Sequence, residues 1–101
     1  MPVIVATLTP KPDQLDAVEK VLTGIIPAVH EEDGCELYSL HRGKDRLVFV
    51  EKWRDMAALG AHRSGENIRA LNEGLKGLLA GPPDVQVLEA VSAGDLSKGA
   101  V

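Results

Sequence analysis

Residues Leu47 to Trp53 alternate with the period of a β-strand and are apolar on both sides of it. Leu47, Phe49, Glu51 and Trp53 fall on one face, Val48, Val50 and Lys52 on the other. Helices can cover one side of a small sheet, and an antiparallel sheet wetted on its second face normally reads as clean apolar/polar alternation. This strand does not, so its second face is expected to be covered by another copy of the chain, sheet against sheet. A strand central to a single small domain is the ordinary alternative. Glu51 shares a row with Phe49 and Trp53. A carboxylate buried between two aromatics is costly without a partner, which makes this row the first candidate for a polar pocket.

The rest of the chain supplies a β-α-β-β-α-β order. Val3 to Leu8 is an apolar run closed by Thr9-Pro10-Lys11-Pro12 and reads as a buried strand. A helix is expected from about Pro12, with Asp13 and Asp16 at its positive end and Leu15, Val18, Leu22, Ile25 and Val29 as its apolar stripe. Pro27 lies inside that stripe, so a kink or break is expected there. Asp33-Gly34 turns the chain into a strand from Cys35 to Arg42, and Gly43-Lys44-Asp45 makes a hairpin into Arg46 to Trp53. Asp55 can cap the next helix, whose inner face is set by Met56 and Leu59, with His62 on the same side. Ser64-Gly65 interrupts that helix; it resumes with Ile68, Leu71, Leu75 and Leu78 and stops at Gly81-Pro82-Pro83. Val85 to Val91 alternates as the last strand. The order predicts an α+β fold, a ferredoxin-like four-stranded antiparallel sheet with helices on one face, over residues 1–91. Residues 92–101 read as a C-terminal tail, ordered only if another chain holds them.

Composition narrows the functional classes. The 101 residues suit one domain, and 45% hydrophobic with 26% charged is an ordinary globular balance. A net charge of −4, with no basic stripe and three aromatics, argues against nucleic acid. One cysteine, Cys35, excludes an intrachain disulfide, and three scattered histidines show no metal-ligand spacing, so no metal is expected. With no basic-plus-apolar leader and no apolar run near the roughly 18–20 residues of a membrane span, a soluble cytoplasmic protein without membrane partners is expected.

Glu32-Asp33-Gly34-Cys35-Glu36-Leu37-Tyr38, Phe49-Val50-Glu51-Lys52-Trp53 and Ala57-Ala58-Leu59-Gly60-Ala61-His62-Arg63-Ser64 together resemble the signature of the antibiotic biosynthesis monooxygenase family. The resemblance covers nearly the whole chain. It implies a dimeric α+β barrel, a homodimer through the sheet face. Reactions in that family range over oxygenation of polyketides and quinols, haem degradation and isomerisation of a phosphorylated signalling sugar. For this chain the resemblance implies a cofactor-independent monooxygenase acting on a quinol or polycyclic phenol with molecular oxygen. The electron-rich substrate is itself the reductant, and the protein positions it and manages protons. In that picture His62 is the base, Glu51 orients it or holds a substrate hydroxyl, Tyr38 donates to a developing oxyanion and Trp53 stacks on the ring. Phe49, His41 and Asn67 are further candidates to meet the substrate. Asn67 stands where many members have a second histidine, so a two-histidine site is absent. Thr7 and Asn72 do not match the haem-degrading relatives.

Each candidate has an ordinary alternative. His62 can be a hydrogen-bonded core histidine, Glu51 a tie to a helix end or dimer partner, and Trp53 plain core. His41 shares a face with Leu37 and Ser39 and meets either the pocket or the dimer face. His30 suits a helix C-terminus. Glu31-Glu32-Asp33 reads as a solvated turn, and Cys35 as an inert thiol. Two alternatives to the monooxygenase are carried: a sugar-phosphate isomerase, which calls for a cationic cluster drawn from Arg42, Lys52, Arg54 and Arg63, and a non-catalytic small-molecule-binding dimer.

Overall fold

The computed structural model describes residues 1–101. Its elements run β1 (Pro2–Leu8), α1 (Leu15–His30), β2 (Cys35–Arg42), β3 (Leu47–Trp53), α2 (Met56–Arg63), α3 (Glu66–Leu75) and β4 (Asp84–Glu89). The four strands form one antiparallel sheet in the order β2-β3-β1-β4, a ferredoxin-like α+β arrangement. No helix is long and apolar enough to cross a membrane.

Strand parity decides the core. Ile4, Ala6 and Leu8 of β1 and Leu47, Phe49, Glu51 and Trp53 of β3 are buried under the helices. Tyr38 of β2 pairs directly with Glu51 and joins that face, past an irregularity between Cys35 and Leu37. Val18, Leu22 and Val29 of α1 and Leu71 and Leu75 of α3 close the core from above. The opposite face carries Val5, Val48, Val50, Leu37 and Leu88, and no helix covers it. β4 is an edge strand with all six residues exposed, among them Val85, Val87 and Leu88.

Several boundaries differ from those read in the sequence. α1 begins at Leu15 because Asp13 takes a left-handed φ of 68°, which ends a Lys11–Gln14 turn rather than opening a helix at Pro12. The helix runs unbroken through Pro27. A proline inside a helix costs about 3 kcal/mol, and burying Leu22 and Val29 on either side of it returns about 1.5–3 kcal/mol each. Asp55 caps α2 as expected, accepting from the Ala58 amide at 2.8 Å. Met56, however, is exposed; Ala58, Leu59 and His62 form the inner face. The interruption at Ser64-Gly65 is present, and a Cβ at Gly65 would lie 2.9 Å from the Ala61 carbonyl, so the tight corner between α2 and α3 needs glycine.

α3 ends at Leu75, well before Gly81. Gly77 takes a φ of 78°, the left-handed residue that commonly follows a helix C-cap, and Lys76 is already extended. Leu78, which closes a turn with its amide on the Leu75 carbonyl, and Leu79, which bridges to Pro10, then pack on the core, with Lys11 donating its amide to Leu78 and Ala80 donating its own to Thr9. The last strand is shorter than expected, Asp84–Glu89 rather than Val85 to Val91. Beyond it the tail builds its own turn, in which the Asp95 carboxylate accepts from the amides of Ser97 and Lys98.

Candidate active site

A cavity of about 290 Å³ lies between the inner face of the sheet and helices α2 and α3. Eleven of its sixteen lining residues are hydrophobic, which suits an apolar ring rather than a sugar. Tyr38, Phe49 and Glu51 form its floor, His62 and Leu59 reach it from α2, and Ile68, Leu71, Asn72 and Leu75 wall it from α3. Val85 and Val87 of β4 border its mouth and are 46% and 45% exposed.

The polar groups here are buried and partnered. Glu51, 5% exposed, accepts a hydrogen bond from the Trp53 indole N–H at 3.0 Å. Burial pushes its carboxyl above the ordinary carboxylate range, against the opposing pull of the Trp53 N–H and His62. His62, 3% exposed, donates from Nδ1 to Glu32 Oε1 at 2.9 Å; its ring lines the cavity, and Nε2 is the nitrogen left for a bound molecule. The Tyr38 ring stacks on Phe49 with centroids 4.3 Å apart. Burial and the carboxylates of Glu51 and Glu32 push its hydroxyl upward, so it stays a protonated donor. No group of three or more histidine, cysteine or acidic side chains is placed to hold a metal ion.

The residues singled out from the sequence therefore divide into three places. Tyr38, Phe49, Glu51 and His62 meet at the cavity. Trp53 and Asn67 lie behind it. Trp53 is fully buried, packed under His62 with ring centroids 4.4 Å apart, so it supports the imidazole and Glu51 instead of offering a face to a substrate. Asn67 donates to Glu32 Oε2 at 2.8 Å and faces away from the cavity, because the corner at Gly65 turns α3 relative to α2. His41 is on the opposite side of the sheet: it pairs with Val48, outward-facing, and its Nε2 hydrogen-bonds Ser39. It does not reach the cavity.

Glu32 was missed. Read as part of a solvated turn, it is drawn inward by His62 and Asn67 until its side chain is 21% exposed. Its sequence signals were its place beside the Asp33-Gly34 turn and at the head of the Glu32 to Tyr38 stretch that carries the family resemblance, and neither named a partner for it. Asn72 is also a cavity residue that spacing alone did not place there, and of the four candidates for a cationic cluster only Arg63 lines the cavity.

The antibiotic biosynthesis monooxygenase family model matches residues 1–74. Rv0793 of Mycobacterium tuberculosis, provisionally named a monooxygenase, is 32% identical over 87 residues, covering 84% of this chain and 86% of that one. Its solved structure superposes with a TM-score of 0.83 over 94% of this chain and all of the other. YgiN of Escherichia coli, provisionally named a quinol monooxygenase, is 28% identical over 73% of this chain and 84% of its own. PA3566 of Pseudomonas aeruginosa gives a TM-score of 0.82 at 28% identity, over 90% of this chain and 94% of that one. The chain belongs to the antibiotic biosynthesis monooxygenase family.

Proposed function

We propose that this protein is a monooxygenase that oxidises a quinol or a polycyclic phenol with molecular oxygen and no added cofactor. The observation that carries the proposal is the meeting of three proton-handling groups, His62, Glu51 and Tyr38, at one otherwise apolar cavity. At about 290 Å³ it falls just below the roughly 300–1,000 Å³ typical of ligand sites, which favours one or two fused rings. His62 Nε2 takes a phenolic proton, and the resulting anion passes one electron to oxygen. Recombination forms a carbon–oxygen bond; one oxygen atom stays on the ring and the other leaves as water, so a dihydroxynaphthalene plus O₂ gives a hydroxynaphthoquinone plus H₂O. Glu51 holds a substrate hydroxyl, and the Tyr38 hydroxyl donates to the oxyanion.

Charge placement weighs against the sugar-phosphate isomerase. A phosphate needs clustered cations, and Arg63 is the one guanidinium or ammonium at the cavity. Arg42 is engaged by Asp16 and Glu19, Arg54 by Asp33, and Lys52 projects from the other face of the sheet. We also propose a homodimer formed through the helix-free face that carries Val5, Val48 and Val50. Oxygen uptake by purified, metal-stripped protein across a panel of quinols and naphthols tests the activity: one O₂ consumed per molecule of at least one substrate is expected. Stabilisation by these compounds without uptake would indicate a non-catalytic binder instead.

A further inference from the structure

The loop between α1 and β2 reaches His62 from behind the cavity. Glu32 accepts from His62 Nδ1 at 2.9 Å through one oxygen and from Asn67 Nδ2 at 2.8 Å through the other, so its carboxylate is fixed between α2 and α3. The loop that carries it is itself tied down. Arg54 donates to both oxygens of Asp33, at 3.1 and 3.0 Å, and its amide donates to the Gly34 carbonyl at 2.8 Å. Gly34 takes a φ of 84° against α2, where any Cβ would collide with the Ala58 side chain. On its other sides the imidazole is held by the Trp53 ring at 4.4 Å and the edge of the Tyr38 ring at 5.6 Å. An ionised carboxylate accepts and cannot donate, so Nδ1 must carry the hydrogen in the neutral ring.

We propose that Glu32 is the positioning residue for the His62 base. Its carboxylate keeps the proton on Nδ1, leaves the Nε2 lone pair toward the cavity, and stabilises the imidazolium formed once Nε2 has accepted a proton. The role of that proton in oxygenation rests on the monooxygenase proposal; the pairing of Glu32 with His62 does not. In the transfer the substrate O–H bond breaks, an Nε2–H bond forms and the phenolate keeps the electron pair. The cationic ring then faces a carboxylate 2.9 Å away, and a bond between opposite charges is stronger than the one the neutral ring made to the same carboxylate. Without Glu32 the neutral ring can carry its hydrogen on Nε2, and in that form it cannot act as a base toward the cavity. Asn67 contributes at one remove, by holding the second oxygen of Glu32.

Two variants separate orientation from charge. Glu32→Gln retains an oxygen that can accept from Nδ1 but has no charge; Glu32→Ala has neither. Nitrogen-15 spectra of histidine-labelled protein are expected to show His62 as the Nδ1–H tautomer in the unaltered protein and in Glu32→Gln, and as a tautomer mixture in Glu32→Ala. With a quinol that is turned over, kcat should fall roughly 10-fold in Glu32→Gln and roughly 10²-fold in Glu32→Ala, with KM changed by less than about threefold. Melting temperatures taken on the same samples score loss of fold separately. Unaltered His62 tautomer signals in Glu32→Ala, or an undiminished kcat in folded Glu32→Gln, overturn the proposal. If the unaltered protein oxidises no quinol, the monooxygenase proposal fails, and the nitrogen spectra alone decide the role of Glu32.

Discussion

The indole N–H of Trp53 donates to the Glu51 carboxylate at 3.0 Å, between two residues on the same face of the same strand. Because Trp53 also packs under His62, one buried ring supports both Glu51 and His62. It does so without lining the cavity itself.

Trp53→Phe therefore acts through Glu51 and the packing rather than through substrate contact. A buried carboxylate oxygen that loses its donor costs about 1–3 kcal/mol, and denaturant unfolding should show a loss of at least that size. KM should move little. A tenfold rise in KM with unchanged stability would mean that the indole does touch the substrate.

The raised Glu51 carboxyl makes a signed prediction about pH. Burial is the main cause of the rise. An acid whose folded-state pKa lies above its unfolded value holds its proton more tightly when folded, so stability is fully present at low pH. It falls as pH climbs from the ordinary value of 4.5 to the folded-state value. Glu51→Gln keeps an acceptor for Trp53 and has no charge to desolvate. Its melting temperature relative to the unaltered protein should rise between pH 4 and pH 8, by an amount corresponding to about 1.4 kcal/mol for each tenfold by which folding weakens the acid, while oxygenation declines. A constant difference across that range would show that Glu51 is not destabilised by its burial.

The sheet face that no helix covers predicts self-association. Val50 sits on β3 between Val5 of β1 and Ser39 of β2, at the middle of that face. Light scattering should give a dimer at micromolar concentration, and Val50→Asp should give monomer or aggregate, because a carboxylate there would be buried against the partner sheet. A monomeric unaltered protein contradicts the dimer.

What was legible in the sequence follows from periodicity. The alternation of Leu47 to Trp53 placed Glu51 with Phe49 and Trp53, and the three-residue step from Leu59 placed His62 inward; both hold in the structure. Tyr38 and His41 could not be assigned to faces because parity within β2 says nothing about its register with β3. Pairing of Tyr38 with Glu51 settles it and sends His41 to the other side. Asn67 lies beyond the Gly65 corner, where helical spacing from His62 no longer applies. Glu32 was invisible for another reason: its partners lie 30 and 35 residues away, and only the Arg54–Asp33 and Gly34–Ala58 contacts aim it at them.

The most direct test follows the oxygen atom and the base together. Under ¹⁸O₂, menadiol or a related dihydroxynaphthalene should acquire one labelled atom in the product. His62→Ala should slow that incorporation by roughly 10²-fold or more while remaining folded. Incorporation at the full rate in a well-folded His62→Ala protein, or no incorporation by the unaltered protein across a broad quinol panel, would contradict the account.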